Sequence, residues 1–524
     1  MAARPRRAAD ARVRGVFRAV VAALALGSLN ACGGGPASTD AGTRELLIVE
    51  VTHPTKREPI NAGRLYLQMS VAETLLDLDD HGQPVPGLAT AWTVSEDGRT
   101  WRFTLRTDAR FHDGTAMTAS HVAQALARAR RQPGPFALLP IDDIGADGDA
   151  LVVRLRTPSV LLLPVLTHFS TVVLGPGSFD GGDRAVAVVG TGPFRMVSTT
   201  EQEFTVERWT GWRGPQPAIA RARYLSAGRV ESRALLADSG QADVVFNLDW
   251  ASLSRLHGRP DITVVDVPSP RTTILKVNAG HPFLRDRRAR EAISLAIDRS
   301  GIAGGLFGNS GRAATQLLPP GDGAWPETPA APLRTSVDDA RRLLGELGWS
   351  PGPDGVLIRD GQRFSLRLQS HAAAQELPLV AAALQQQLRQ VGIEIEVRIG
   401  TVADTPASHR DGSLQLALVN RGYLIVPEPT AALVDDFSLG GGVYGAMGWE
   451  DAATSDALAA LAAGIDPTRA AELRAQVVNT LQTELPVIPL LFNRRTATIN
   501  ARVRDVHVDP FERTFGLARM RWNH

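Results

Sequence analysis

The sequence predicts an α/β fold built around more than one hydrophobic core, and three observations point there. Strand-like and helix-like periods alternate along the chain instead of segregating into halves. Glycines and Asp-Gly pairs punctuate the changes of period. The 524 residues are 44% hydrophobic, ample for a packed interior, yet too many for one core, so about two or three domains are expected. Lysine and arginine total 56 against 55 acidic residues, a net charge of +1, which lacks the concentrated basic face of a nucleic-acid binder. Only Lys56 and Lys276 are lysines; with the abundant alanine, this bias reads as the mark of a GC-rich genome.

The chain opens on a targeting segment. Arg4, Arg6, Arg7, Arg12, Arg14 and Arg18 make a basic start, and residues 19–29 make an apolar run. That run is shorter than the ~20 residues a membrane-spanning helix needs and has the length of a signal-peptide core. Leu29-Asn30-Ala31-Cys32 then resembles a bacterial lipobox. Residues 1–32 are accordingly expected to be a lipoprotein signal peptide, Cys32 the lipid attachment site, and residues 33–43 a flexible tether. Cys32 is the only cysteine, so the mature chain has no other thiol for a disulfide, a thiolate metal site or a nucleophile. No later stretch reaches ~18 consecutive apolar residues, so the remainder is expected to be soluble.

The elements follow in order. Asp97-Gly98 marks a turn, after which Trp101, Phe103 and Leu105 alternate with polar residues as a half-buried strand. Thr118 is a helix N-cap before Val122, Ala125, Leu126 and Ala129, which share one helical face. Leu151, Val153 and Leu155 form a second strand. Ala289, Ala292, Ile293, Ala296 and Ile297 make a helical stripe that Gly301 should stop. Ser336 with Asp339 resembles a capping box ahead of Ala340, Leu343, Leu344 and Leu347, with Gly348 as the C-terminal stop. A Gln-rich helix carrying Leu384 and Leu388 ends near Gly392, and Ile393, Ile395, Val397 and Ile399 alternate as a strand. The Pro/Gly-rich stretches 317–335 and 351–355 read as surface connections.

Several motifs form an ordered set. Between Glu73 and Val122 stand Glu73-Thr74-Leu75-Leu76, Pro86-Gly87-Leu88-Ala89, Trp92, Ser95-Glu96-Asp97-Gly98, Trp101, Phe103-Thr104-Leu105-Arg106 and Phe111-His112-Asp113-Gly114. Later come Gly190-Thr191-Gly192-Pro193-Phe194, Ala242-Asp243-Val244, Asn278 with Pro282-Phe283, Gly348-Trp349, Val391-Gly392-Ile393 and Leu485-Pro486-Val487-Ile488-Pro489. This set resembles the peptide/nickel class of bacterial extracytoplasmic solute-binding proteins, family 5. The resemblance implies a two-lobed periplasmic-binding-protein-like α/β fold (cluster C, type II) with an extra subdomain inserted in the first lobe. Lobe 1 would comprise residues 44–62, 186–275 and 489–524, its inserted subdomain 63–185, and lobe 2 residues 276–488. It also implies a monomeric, non-enzymatic, cofactor-free binder in the periplasm or cell envelope. Such a binder would capture an oligopeptide, dipeptide or peptide-like solute and deliver it to an ABC permease and its ATPase, anchored to a membrane through lipid on Cys32.

In peptide-binding members an aspartate holds the ligand amine; here Ala417 stands at that strand position, and Glu428 of Glu428-Pro429 is the retained carboxylate. Arg421 is a candidate for pairing bidentately with a ligand carboxylate, and equally for a structural arginine. Tyr423 stands where the family commonly has tryptophan. Tyr444 and Trp449 lie in a glycine-rich loop, residues 440–448 and just beyond, that either lines a cleft or packs a lobe. Asn61 and Tyr66 are candidates from the first lobe. His112 belongs to a His-Asp-Gly turn whose residue types geometry explains. None of the 11 histidines shows a metal-site spacing, so no metal ligand is assigned; binding of a nickel–chelator complex is the alternative, and a sensor or scaffold lipoprotein uncoupled from import is another. No nucleophile elbow, zinc-protease helix or P-loop is present, and no catalytic residue is assigned.

Overall fold

A computed structural model describes residues 44–54, 57–320, 325 and 331–523. The segments expected to be a signal peptide (residues 1–32, with Cys32) and a tether (residues 33–43) lie outside these described residues. Fourteen strands carry the architecture: β1 (Glu45–Glu50), β2 (Ala89–Val94), β3 (Thr100–Leu105), β4 (Ile141–Asp147), β5 (Ala150–Leu155), β6 (Phe194–Thr199), β7 (Glu203–Arg208), β8 (Arg221–Ser226), β9 (Val244–Phe246), β10 (Ile262–Val277), β11 (Ser365–His371), β12 (Glu394–Gly400), β13 (Leu416–Gly422) and β14 (Val487–Asn500).

Ten of them form one mixed sheet in the order β12-β11-β13-β10-β14-β9-β1-β8-β7-β6. β1 is almost continuously apolar because both its faces are covered. Leu46 and Ile48 join Tyr66, Phe204, Tyr224 and Phe515 on one face, while Leu47 and Val49 join Ala234, Val245 and Leu253 on the other. The same period of two runs through β13, where Leu416 and Leu418 pack one core and Ala417 and Val419 another. β2, β3, β5 and β4 form a separate four-stranded sheet. With the helix Ala119–Arg130 it encloses its own core of Phe103, Phe111, Leu126, Phe136 and Leu162.

The two lobes meet at β10 and β14. These long strands pair antiparallel from Ile262 opposite Asn500 to Lys276 opposite Val487, and the register breaks between Pro268 and Thr272. Pro268 and Pro270 supply no N–H to the ladder, which accounts for the break. Beyond β14 lie β9, β1, β8, β7 and β6; beyond β10 lie β13, β11 and β12.

Local signals held where caps govern them. The Thr118 side chain accepts from His121 N, and the Ser336 side chain accepts from Asp339 N. Two expectations differ. The helix expected to reach Gly301 ends at Ala296, because Ile297 turns extended and Asp298 caps a second helix, Arg299–Phe307, by accepting from Gly301 N at 2.9 Å. Leu317, Leu318 and Trp325, expected on a surface connection, are buried in a lobe-2 core.

Candidate functional site

A cleft of about 1670 Å3 opens between the lobes. Its floor is an ionic network. Glu50, at the end of β1, is 1% exposed. It accepts from Asn247 Nδ2 at 3.2 Å and lies 3.7 Å from Arg64 and 3.6 Å from Arg495. Glu512 is 2.9 Å from Arg64 and accepts from Arg271 Nε and Nη2 at 3.1 and 2.9 Å. Burial would raise the Glu512 carboxyl, but Arg271 and Arg64 overcome it and hold it well below the usual carboxylate range. Glu512 sits in the left-handed backbone region, φ +59°, in a loop whose amide N–H groups at Phe511, Arg513 and Thr514 donate to Asp509.

The facing wall is polar. The Thr273 hydroxyl of β10 lies 2.7 Å from Asn420 Oδ1 and 2.8 Å from Asn493 Oδ1, and Asn420 Nδ2 donates to Glu376 at 2.8 Å. Arg421 at the end of β13 donates to Asp436 through Nε (2.9 Å) and Nη2 (2.7 Å), and to Asp435 (2.8 Å). Burial opposes the Arg421 charge, yet Asp436 and Asp435 hold its pKa above the ordinary value. Below it, fully buried Lys276 donates to the Gly445 carbonyl; burial lowers its pKa to about 8 against the pull of Asp436.

The walls touch at the rim. The Trp250 ring lies so close to Gly308 that a Cβ there would stand 2.1 Å from it, and Gln375 Nε2 donates to the Gly228 carbonyl at 2.5 Å. The left-handed backbone of Gly308, φ +63°, and its bare α-carbon both require glycine.

Of the residues singled out in the sequence, Arg421 and Tyr444 line the cleft, with the Arg421 guanidinium 5.7 Å from the Tyr444 ring centre. The other five lie off it. Tyr66 is 1% exposed in the lobe-1 core, its hydroxyl donating to the Arg57 carbonyl at 2.9 Å. Asn61 is exposed on the helix Pro59–Gln68. Tyr423 is buried in a lobe-2 core, and Trp449 packs edge-on to Phe437 in the same core. Glu428 accepts from Trp325 Nε1 at 3.1 Å and from Thr430 N at 3.0 Å, which starts the helix Thr430–Phe437. His112 is locked into backbone: Gly190 N–H donates to its Nδ1 at 3.2 Å, and its Nε2 lies 3.1 Å from the Gly192 carbonyl. Burial lowers His112 to about 4, so it stays a neutral structural residue.

Sequence reasoning missed Glu50, Arg64, Arg271, Glu376, Asn420 and Glu512. For Glu50 a signal existed, since a charge closing the apolar run Leu46-Leu47-Ile48-Val49 must be paired if buried. For Arg64, Arg271 and Glu512 no local pattern brings positions hundreds of residues apart together.

Among the described residues no helix is long and apolar enough to cross a membrane, and no group of three His, Cys, Asp or Glu is placed to hold a metal ion. The profile of the bacterial extracellular solute-binding proteins, family 5 (middle), matches residues 83–441. The glutathione-binding protein GsiB of Salmonella choleraesuis (strain SC-B67) is 26% identical over 376 residues, 68% of this chain and 69% of that protein. The same protein of Escherichia coli (strain K12) is 26% identical over 383 residues, 69% and 70% of the two chains. Among solved structures, NikA from Brucella suis in complex with Fe(III)-EDTA superposes with a TM-score of 0.82 at 21% identity, over 92% of this chain and all of that one. The oligopeptide-binding protein AppA from Bacillus subtilis, in complex with a nonapeptide, gives 0.80 at 16% identity, over 92% and 99%. With two lobes sharing a sheet, a charged cleft between them and a profile match over more than half its length, the chain belongs to the bacterial extracellular solute-binding proteins, family 5.

Proposed function

We propose that the protein captures an oligopeptide, dipeptide or peptide-like solute between its lobes and delivers it, chemically unchanged, to an ABC permease and its ATPase. The observation that carries this reading is the cleft itself: about 1670 Å3 of space lined by polar and charged groups from both lobes. A ligand touching both walls favours the closed arrangement by its differential affinity for it. The glutathione-binding relatives and the peptide-bound structural neighbour support a ligand of this kind. The likeness to NikA supports a second reading, a metal–chelator complex; since no metal-ligating group of three stands among the described residues, the chelator would carry the metal. Export by the leader at residues 1–32, anchoring by lipid on Cys32, a monomeric state and a second lobe spanning residues 276–488 belong to the same proposal.

The test is thermal unfolding of protein lacking residues 1–32 with di- to tetrapeptides, glutathione and a nickel–histidine complex. A ligand at 100 times its Kd stabilises the folded state by about 2.7 kcal/mol, a shift of a few degrees. The expected result is stabilisation by peptides. Stabilisation by the nickel complex alone establishes the second reading, and no shift at millimolar ligand overturns both. Loss of peptide uptake on deletion of the gene separates import from a sensor role.

A further inference from the structure

Lys276 is a buried cation that the cleft does not reach. The chain carries 54 arginines and only two lysines, so a lysine kept in the interior calls for a reason. Its side chain is 0% exposed and rises from β10 opposite Ala417 of β13, a residue small enough to leave it room. A guanidinium is broad, planar and permanently charged, whereas an ammonium is a compact point donor on a slender stem. Among the described residues the hydrogen-bond partner of Lys276 is the Gly445 carbonyl. Burial weakens its charge, Asp436 supports it from beyond hydrogen-bonding reach, and Arg421 opposes it.

What that hydrogen bond holds is the glycine-rich loop after the helix Thr430–Phe437, a stretch with little stiffness of its own. The far end of the loop is pinned through backbone. Ala446 N–H donates to the Asp436 carbonyl at 2.9 Å, and Ala279 N–H donates to the Met447 carbonyl at 2.8 Å. Gly445 passes so close to the helix that a Cβ there would stand 2.0 Å from the Asp436 carbonyl oxygen. Tyr444 comes immediately before it and is the residue of this loop that lines the cleft, beside Arg421. The carbonyl on its other side, that of Val443, meets His409 of the helix Asp404–Arg410. Burial and Lys276 lower the pKa of that imidazole, and the hydrogen bond to the Val443 carbonyl opposes them. Tyr444 is therefore held by the carbonyls on both its flanks, each gripped from the interior. Asp436 ties the parts together: it receives Arg421 through its carboxylate, Ala446 through its carbonyl and the charge of Lys276 through space.

We propose that Lys276 is a positioning residue of the ligand site: without touching the ligand, it fixes the Gly445 carbonyl and so sets where Tyr444 stands on the lobe-2 wall of the cleft. A loop this rich in glycine would otherwise carry the ring through several positions, and each would have to be frozen out when a ligand binds. A single buried donor removes that cost in advance. The effect on ligand affinity rests on the function proposed above; the placing of Tyr444 does not.

The experiment follows the tyrosines by NMR in the protein lacking residues 1–32, with carbon-13 at the ring carbon that bears the hydroxyl. The chain has four tyrosines, hence four signals, and Tyr444→Phe identifies the one that matters. The expected result is that Lys276→Met moves or broadens the Tyr444 signal and leaves those of Tyr66 and Tyr224, both in the lobe-1 core, in place. An unmoved Tyr444 signal in the folded variant overturns the proposal. If the variant does not fold, the wild type decides between pH 6 and pH 9: Lys276 gives up its proton near 8, and His409 has done so below 6.5. A step in the Tyr444 signal near pH 8 supports the proposal, and a flat line there overturns it. Calorimetry with a tripeptide mixture adds the ligand. Lys276→Met and Tyr444→Ala should each weaken binding several-fold, and the double variant no further than either, because one acts through the other. Additive losses overturn the route through Tyr444. Absence of peptide binding to the wild type overturns peptide capture and leaves the placing of Tyr444 to be decided by the ring signals.

Discussion

Arg421 and His168 show how single side chains are constrained. Arg421 is bidentate to Asp436, whose side chain is fully buried, so its first duty is to keep that carboxylate neutralised. Arg421→Ala strands the charge and should cost about 3–5 kcal/mol in denaturant unfolding, as for other buried pairs broken on one side. Asp435→Asn, whose partner keeps Asp436, should cost less than about 1 kcal/mol. His168 is 7% exposed, with Ser170 N–H donating to its Nδ1 at 3.2 Å. Burial, aided by Arg513, lowers it to about 3, so in acid the unfolded chain takes up the proton first. The stability it supplies is complete above pH 6.5 and drains as pH falls toward 3, at about 1.4 kcal/mol per unit. Stability measured from pH 7 to pH 4 should fall, and His168→Gln should flatten that slope.

Elements were legible wherever a local rule sets them. The caps at Thr118 and Ser336 and the alternation in β3 and β12 follow from residue type and spacing alone. The split after Ala296 was not, because a two-residue interruption, Ile297-Asp298, leaves the apolar stripe nearly unbroken in sequence. The Gly190-Thr191-Gly192 turn has its cause in packing. A Cβ at Gly190 would lie 2.1 Å from the Val71 carbonyl oxygen, and one at Gly192 2.2 Å from that of Ser70. Backbone cannot yield as a side chain does, so Gly192→Ala should destabilise by about 1–3 kcal/mol, read as a lowered Tm. At the rim, Trp250→Ala removes the ring from Gly308. It should weaken ligand binding several-fold while leaving Tm of the ligand-free protein nearly unchanged, and small-angle scattering should report a larger ligand-free radius of gyration than wild type.

At the scale of the molecule, the fold class and the lobed plan were readable from ordered motifs, whereas the cleft was not. Its floor joins β1, the helix Pro59–Gln68, β10 and the C-terminal loop at Glu512, a meeting that no window of sequence contains. Candidates chosen from one segment, residues 421–449, therefore landed on the cleft only at Arg421 and Tyr444. Because β10 and β14 are paired along nearly their whole length in the middle of the sheet, their amides should exchange hydrogen slowest, and those of the edge strands β6 and β12 much faster, by mass spectrometry. The same pairing bears on how the chain is made. β1 finds its neighbours only once residues 221–246 exist, and β9 and β10 await β14, near the end. A chain that emerges from its N-terminus thus keeps apolar strand edges open until almost its last residue has emerged, which makes slow folding and exposure to edge-to-edge association the companions of this architecture.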